Sequence, residues 1–207
     1  MNKPVIIIGN GGHASVLIEM LQLNDREIIG YTAPNPSKNV LKYLGNDEEI
    51  FKYNCKSIEL VLGIGTVKAS DIRRKIYANL KGKGYNFTTL IHPTAIIANN
   101  VKIASGAQIM AGVILQPNVK IGENSIINTG AQLDHDCIVE SHVHIAPGVI
   151  CSGNVIIKEA AHLGTASTVI QGIIIGGKAT VGAGAVVTKD VVANATVVGV
   201  PAKEVLK

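Results

Sequence analysis

Aromatic residues are scarce in this chain of 207 residues, which has no Trp, two Phe and five Tyr. A stacking surface for single-stranded nucleic acid needs several aromatic side chains, so that class of binding is not expected. The net charge is only +4, and the Lys and Arg residues form no basic run. This argues against nucleic acid as a partner and stays compatible with small phosphorylated ligands.

Long apolar stretches and a signal-peptide pattern are also absent from the sequence. No apolar run approaches the roughly 18 residues that a membrane-spanning helix needs. The three cysteines, Cys55, Cys137 and Cys151, cannot all pair with one another and are interpreted as reduced core residues. The sequence therefore predicts a soluble, cytoplasmic protein without a membrane span.

The second half of the chain contains a repeat of six residues. Ile, Leu or Val fills 15 of the 18 positions in this row. The row consists of Ile97, Ile103, Ile109, Leu115, Ile121, Ile127, Leu133, Val139, Ile145, Cys151, Ile157, Leu163, Val169, Ile175, Val181, Val187, Ala193 and Gly199. An apolar period of 3.6 would indicate a helix and a period of 2 an ordinary strand. A period of six instead indicates the faces of a parallel β-helix.

Three such faces close a coil of 18 residues, so residues 18 apart are expected to stack at roughly 4.8 Å, the spacing of neighbouring strands. The large aliphatic residue of each unit fills the interior, and a small or β-branched residue four positions later lies where the wall bends. The repeat predicts about six coils, with exposed sheet edges only at the two ends.

The residues before this repeat alternate apolar strands with helical stretches. Strands are predicted at Val5–Ile8, Ile28–Tyr31, Leu60–Ile64 and Asn86–Ile91, with helices from the first glycine turn through Leu21 and from about Ser70 to Leu80. This order predicts a small Rossmann-like parallel α/β domain over residues 1–91, followed by the β-helix over residues 92–207. Ligands are expected at the carboxyl ends of the strands.

A glycine-rich turn follows the first strand, where Gly9, Gly11 and Ala14 satisfy the pattern G-x-G-x-x-A. Such glycines let a phosphate approach the backbone at a helix amino terminus. A nicotinamide or flavin cofactor would also require an acidic residue at the end of the second strand. The segment Tyr31–Pro34 has none there, so phosphate binding is favoured over NAD binding. A tight turn without a ligand remains the alternative.

A second glycine-rich turn follows the third strand and contains Gly63, Gly65 and Thr66. Both turns lie at the same end of the predicted sheet. Their convergence makes a nucleotide site at that end a stronger prediction than either turn alone.

The whole chain resembles the NeuD/PglD-type acetyltransferases. The resemblance is carried by the turn from Gly9 to His13 and by an unbroken hexapeptide β-helix ending in Gly199–Lys203. Members of this family are left-handed β-helix enzymes that use acetyl-CoA to acetylate nucleotide-linked amino sugars or, in some cases, sialic acids. The left hand of the β-helix and a homotrimer with acetyl-CoA between subunits are implied by the resemblance alone.

The most specific matching segment is Asp134-His135-Asp136-Cys137. The resemblance implies that His135 is the general base and that Asp136 orients its ring. Imidazole suits this task because it titrates near neutral pH. The alternative is a solvated surface histidine, since His135 lies two residues after the interior Leu133 and should point outward.

Gly153 follows His135 by 18 residues, so the register predicts that it lies one coil above His135. A glycine there is expected to leave its backbone N–H approachable. The resemblance implies that this N–H stabilises the thioester oxyanion, as donors do in acyl transfer.

His144 lies half a coil beyond His135 and is expected in a different region of the prism. The resemblance implies that it lies near the acetyl carbonyl and could meet His135 across a subunit boundary. The alternative is a surface pairing with His162, which is 18 residues further on. Further contacts to acetyl-CoA are implied at the backbone of Gly164, Gly182 and Ala183 and at the side chain of Lys203.

In the first domain, the resemblance implies that Gly11, Gly12 and His13 bind the nucleotide sugar, with His13 near the sugar or its diphosphate. Well-known members carry an acidic pair after the second strand that contacts the base, whereas this chain has Thr32-Ala33. Thr32 remains a candidate contact, and the identity of the base stays open.

The leading hypothesis is N-acetylation of a nucleotide-linked 4-amino-4-deoxy sugar by acetyl-CoA for a surface glycan, without a metal. Sialic acid O-acetylation is the nearest alternative. A metal-dependent hydratase would need a zinc site such as His142, His144 and His162 could form. A non-catalytic sugar-binding or assembly subunit is the third possibility.

Overall fold

The computed structural model describes residues 3–37, 41–66 and 71–205. The chain divides into two compact units. The first comprises Met1–Gly65 and Ile72–Leu90, and the second comprises Thr66–Asp71 and Ile91–Lys207.

The first unit is built on a parallel sheet of four strands in the order β3-β2-β1-β4. Its elements are β1 (Val5–Ile8), α1 (Gly12–Leu23), β2 (Ile28–Thr32), β3 (Tyr43–Gly45), a 3₁₀ helix (Asp47–Lys52), β4 (Glu59–Leu62) and α2 (Asp71–Gly82). All four residues of β1 are buried, because this strand lies inside the sheet and both of its faces are covered. The predicted Rossmann-like α/β fold is confirmed.

Several predicted boundaries of the first unit were wrong. The third strand ends at Leu62 rather than Ile64, and only Leu90–Ile91 of the predicted strand Asn86–Ile91 is a strand. Phe87 makes a single isolated bridge to Leu60. The helix predicted from about Ser70 begins at Asp71, and Ser70 itself lies outside the described residues. The short strand β3 and the 3₁₀ helix were not predicted, because segments of this length show no periodicity.

Arg73, in the first turn of α2, ties the helix to the end of β4. Its side chain is buried, and Nη1 donates hydrogen bonds of 2.8 Å to the carbonyl oxygens of Leu62 and Ile64. Burial lowers the pKa of Arg73 to about 9, so the guanidinium remains charged at neutral pH. These bonds hold the backbone just where the second glycine turn begins.

We expect Arg73→Met to lower the free energy of unfolding by about 3 kcal/mol, because two buried carbonyl groups lose a charged donor. Urea unfolding of the purified protein measures this loss. Lys75→Met is the matched control at an exposed position of the same helix and should change stability by less than about 0.5 kcal/mol. Equal unfolding midpoints for the two variants would show that the hydrogen bonds of Arg73 do not stabilise the fold.

The second unit is a parallel β-helix with three faces, as predicted. The first face consists of Ile96–Ile97, Ile114–Leu115, Gln132–Leu133, Ile150–Cys151, Thr168–Val169 and Val186–Val187. The second face consists of Lys102–Ile103, Lys120–Ile121, Ile138–Val139, Ile156–Ile157 and Ile174–Ile175. The third face consists of Leu90–Ile91, Gln108–Ile109, Ile126–Ile127, His144–Ile145, His162–Leu163, Thr180–Val181, Thr196–Val198 and the antiparallel Lys203–Glu204.

The interior of the β-helix is formed by the predicted row of aliphatic residues. From Ile109 to Val187 every residue of this row is buried, whereas Ile97 and Ile103 are only half-buried, as expected in the first coil of a prism. The corners require a left-handed backbone: every sixth residue from Gly106 to Gly184 has a positive φ. All three cysteines are free, and Cys137 and Cys151 are buried as predicted.

The prediction that the six-residue register continues to the end of the chain was wrong. Val181 pairs with Val197, so this coil is two residues shorter than the 18-residue coils before it. Val191 and Val197 occupy the interior, while Ala193 and Gly199 are exposed. The turn after Val187 is two residues shorter than the others, so the next interior residue, Val191, follows after four residues rather than six.

Neither α1 nor α2, nor any other helix in the described ranges, combines the length and apolar character that crossing a membrane requires.

Candidate active site

The corner between the first and second faces presents His135 and Asp136 side by side. The His135 side chain is 49% exposed and points out of the prism, as predicted. Nδ1 of His135 lies 2.8 Å from Oδ2 of Asp136, and Oδ1 of Asp136 accepts a hydrogen bond of 3.0 Å from Nδ2 of Asn118 one coil below. Asp136 occupies a corner position with φ of 61°, which turns its carboxylate back towards the ring. The carboxylate therefore holds the imidazole through Nδ1 and leaves Nε2 unused by Asp136.

Electrostatics at this corner favour a basic imidazole. The hydrogen bond to Asp136 is the main cause that raises the pKa of His135, with a smaller contribution from the charge of Asp134. The same hydrogen bond lowers the pKa of Asp136. A raised pKa makes His135 a stronger base and also means that it is protonated, and so unable to accept a proton, up to a higher pH.

We expect Asp136→Asn to lower the pH at which activity is lost on acidification, because the group that raises the pKa of His135 is gone. The rate on the neutral plateau should also fall, by about tenfold, because the base is weaker and its ring less well held. The measurement is kcat/KM as a function of pH. Asp134→Asn is the matched control and should move the acid limb less. An acid limb that stays in place in Asp136→Asn would contradict this assignment.

Gly153 lies one coil above His135, as the register predicts. A Cβ atom at Gly153 would lie 2.5 Å from Nε2 and 2.6 Å from Cε1 of His135, so the ring packs directly against this glycine. Gly153 is buried, and the accessibility of its N–H stays a prediction. Only a residue without a side chain allows the ring to lie there.

The third face carries a cavity of about 380 Å³. It brings together four of the residues predicted for acetyl-CoA with several polar residues. Its wall includes His144, Gly164, Gly182 and Ala183, together with Thr66, Asn128 and His162. Lys203 is exposed on the strand that ends the same face and is not part of the cavity wall.

His144 has both ring nitrogens in hydrogen bonds. Oδ1 of Asn128 accepts from the backbone N–H of Thr129 at 2.8 Å, so its amide nitrogen faces Nε2 of His144 at 3.3 Å. Nε2 must then be the acceptor, and the ring proton lies on Nδ1, 2.8 Å from Oγ1 of Thr66. Thr66, predicted as a nucleotide contact, is grouped with the β-helix and bonds to His144; its contact with a nucleotide stays a prediction.

His162 pairs with His144 on the neighbouring strand, and the two rings meet edge to face with centroids 5.0 Å apart. The predicted pairing is present but was wrongly placed at the surface, because His144 is 8% and His162 6% exposed. His142 points elsewhere, with Nδ1 3.0 Å from Nδ2 of Asn124. Among the described residues, no group of three or more His, Cys, Asp or Glu side chains is placed to hold a metal ion.

The two glycine turns of the first unit converge. Gly9 has a φ of 103°, and its N–H donates to the carbonyl oxygen of Thr32 at 2.7 Å. Gly11 caps α1 without a side-chain hydrogen bond, and Cβ atoms at Gly11 and Gly12 would meet nothing within 4 Å. A Cβ at Gly65, in the other turn, would lie 3.3 Å from the Cβ of His13. The amino terminus of α1 is thus open to a ligand, with His13 beside it.

Comparisons with known proteins agree with this geometry. Residues 4–80 match the PglD N-terminal domain, and residues 100–134 match the bacterial transferase hexapeptide family (six repeats). A variant of perosamine N-acetyltransferase from Caulobacter crescentus, solved with CoA and GDP-perosamine, is 33% identical, with 99% of this chain and 97% of that chain covered and a TM-score of 0.93. This chain belongs to the NeuD/PglD-type acetyltransferases.

Two further solved structures are similar to this chain over nearly its whole length. The acetyltransferase domain of PglB from Neisseria gonorrhoeae, solved with acetyl coenzyme A, is 31% identical, with 99% of this chain and 100% of that chain covered and a TM-score of 0.93. WeeI from Acinetobacter baumannii is 26% identical, with 99% of this chain and 100% of that chain covered and a TM-score of 0.88. The NeuD/PglD-type resemblance inferred from the sequence is confirmed.

In this NeuD/PglD-type chain, Thr32 is not available as the predicted nucleotide contact. It is fully buried, and its Oγ1 donates a hydrogen bond of 2.7 Å to Oδ1 of Asp47. Asp47, in the first turn of the 3₁₀ helix, thereby places a carboxylate at the end of β2, where the sequence has none. Sequence reasoning missed Asp47 because it lies 15 residues beyond Thr32, outside any recognisable motif.

Proposed function

We propose that this chain transfers the acetyl group of acetyl-CoA to the amino group of a nucleotide-linked amino sugar. The observation that carries the proposal is the exposed pair of His135 and Asp136, in which the carboxylate holds Nδ1 while Nε2 lies against Gly153 and has no hydrogen bond to the described residues. The relatives solved with CoA and GDP-perosamine, or with acetyl coenzyme A, support the choice of substrates.

The chemistry requires one proton acceptor. The sugar amine attacks the thioester carbonyl carbon while Nε2 of His135 takes a proton from the amine nitrogen. The tetrahedral intermediate collapses, the carbon–sulfur bond breaks, and the CoA thiolate takes a proton from the imidazolium to leave as the free thiol. Asp136 stabilises the imidazolium between these two steps. The backbone N–H of Gly153, the residue against which the His135 ring packs, is assigned to the oxyanion.

The nucleotide diphosphate is assigned to the amino terminus of α1. The first N–H groups of a helix lack intrahelical acceptors and attract anions. Here the cap is Gly11, with no side chain competing for those groups. Gly12, His13 and Gly65 surround this position, and the carboxylate of Asp47 at the end of β2 is assigned to the nucleoside.

Acetyl-CoA is assigned to the third-face cavity, with Gly164, Gly182 and Ala183 against its pantetheine arm and Lys203 near a phosphate. His135 lies at a different corner of the prism, with the second face between it and this cavity. One chain alone therefore does not bring base and thioester together. We propose a homotrimer in which each site combines His135 of one subunit with the cavity of its neighbour.

Mixing two inactive variants tests this arrangement. His135→Ala removes the base. Ala183 lines the cavity and is exposed, so Ala183→Trp should fill the cavity with an indole ring. Each variant alone should be inactive. After the two are unfolded and refolded together, some sites contain both intact halves, and activity should return. No recovery in mixed oligomers would overturn the shared site.

The function itself is tested by following CoA release with acetyl-CoA and a panel of acceptors. The panel contains UDP-, GDP- and dTDP-linked 4-amino sugars, the matching unlinked amino sugars and free sialic acids. Turnover is expected only with nucleotide-linked amino sugars. Turnover with sialic acids alone would overturn the proposal in favour of O-acetylation. Turnover with unlinked amino sugars would show that the enzyme does not require a nucleotide on its acceptor.

A further inference from the structure

Asn118 lies one coil below Asp136 in the same corner of the β-helix, 18 residues earlier in the chain. Both residues have the left-handed backbone of these corners, with φ of 66° at Asn118 and 61° at Asp136. Nδ2 of Asn118 donates a hydrogen bond of 3.0 Å to Oδ1 of Asp136. Asn118 is thus bonded to the carboxylate that holds the proposed base.

The carboxylate of Asp136 is shared between two partners. Oδ1 accepts from the amide of Asn118, while Oδ2 lies 2.8 Å from Nδ1 of His135. The Asp136 side chain is 44% exposed, so packing alone leaves it free to turn towards water. Holding such a side chain in one orientation costs conformational entropy, and the second hydrogen bond offsets this cost.

The other neighbours of this corner do not share the task. Asn154 lies one coil above Asp136 with a similar φ of 58°, but no hydrogen bond joins its side chain to the carboxylate. Asp134 accepts a hydrogen bond of 2.7 Å from the backbone N–H of His135 and so holds the main chain rather than the ring. Among the described residues, Asn118 is the only side chain besides His135 that is bonded to this carboxylate.

We infer that Asn118 is a positioning residue, whose amide keeps the Asp136 carboxylate in the orientation that holds the His135 ring against Gly153. Asn118 then acts on catalysis only through Asp136. Its effect on the rate rests on the proposed function, because that effect assumes that His135 is the base.

Asn118→Gly removes the amide, and glycine adopts a left-handed corner without strain. We expect kcat to fall about fivefold, as for the loss of one hydrogen bond that orders the reacting groups. The affinity for acetyl-CoA should not change. Asn194→Gly is the matched control, because Asn194 is also exposed at a left-handed corner, with φ of 63° in the last coil. It should keep kcat within about a factor of two.

The same substitution in an Asp136→Ala background separates positioning from an independent effect. Alanine already occupies left-handed corners at Ala160 and Ala166, with φ of 59° and 56°, so the fold should accept it at Asp136. Without the carboxylate Asn118 has nothing to position, and Asn118→Gly should cause no further loss of kcat. An equal loss in both backgrounds would overturn the inference.

An NMR titration of the His135 ring, without substrates, tests the contact independently of turnover. The hydrogen bond from Asn118 lowers the pKa of Asp136, so its loss from an unmoved carboxylate would make Asp136 a better acceptor and raise the pKa of His135. A carboxylate that turns away would instead lower the pKa of His135, and this fall is the result expected of Asn118→Gly. The other charged neighbours, Asp134 and Lys120, are unchanged in the variant.

A pKa of His135 that rises or stays the same in Asn118→Gly would overturn the inference. Absence of turnover by the unmodified protein across the acceptor panel would instead count against the proposed function. The NMR result would still decide whether Asn118 holds the carboxylate, so the two failures can be told apart.

Discussion

His135→Asn is expected to lower kcat by about 10²- to 10⁴-fold, because the amine then loses its proton without a positioned base. The Asn side chain is polar and smaller than imidazole, so the exposed corner should accept it without unfolding. Affinity for acetyl-CoA should hardly change, since His135 does not line the third-face cavity. Steady-state kinetics with the nucleotide-linked amino sugar and titration with acetyl-CoA measure the two effects separately.

A matched control for this variant is His92→Asn. His92 also lies in the β-helix unit and bonds through Nδ1 to the nearby Thr94. Its replacement should leave kcat within a factor of two or three, as for a surface change away from the site. If His135→Asn retained the full rate, His135 could not be the base, and the function would need another proton acceptor.

Gly153→Ala is expected to lower kcat by about 10²-fold, because the new methyl group would occupy the place of the His135 ring. A Cβ atom 2.5 Å from Nε2 forces the ring to move, although the backbone around Gly153 is compatible with alanine. The fold should therefore persist while the base is displaced. Circular dichroism and a melting curve check the fold, and kcat measures the displacement.

Gly177→Ala provides a control at the same place in the six-residue repeat, four units further along the chain. A Cβ there would lie 3.4 Å from the carbonyl oxygen of Glu159 and 3.9 Å from the Cβ of Lys158, which are ordinary contacts. Its activity should match that of the unmodified protein. An active Gly153→Ala variant would show that the observed ring position is not needed for catalysis.

The chain itself determined the β-helix and the stacking of Gly153 on His135. Both depend on a local rule: each unit of six residues makes one strand and one corner, so the distance along the chain converts directly into position on the prism. The row of buried residues from Ile109 to Val187 and the positive φ at every sixth residue from Gly106 to Gly184 follow the same rule. The glycine turn before α1 could be predicted for a similar reason, since it needs only neighbouring residues.

Only the tertiary structure decided the features that depend on contacts between distant segments. Thr66 meets His144 across 78 residues, and Asp47 meets Thr32 from a helix too short to predict. The repeat did not predict the shortened last coil. Val191 and Val197 are still six residues apart, and only the step from Val187 to Val191 is shorter. The burial of Gly153 and the unpaired Nδ1 of His162 depend on how side chains pack in three dimensions, which the spacing of residues in the sequence does not determine.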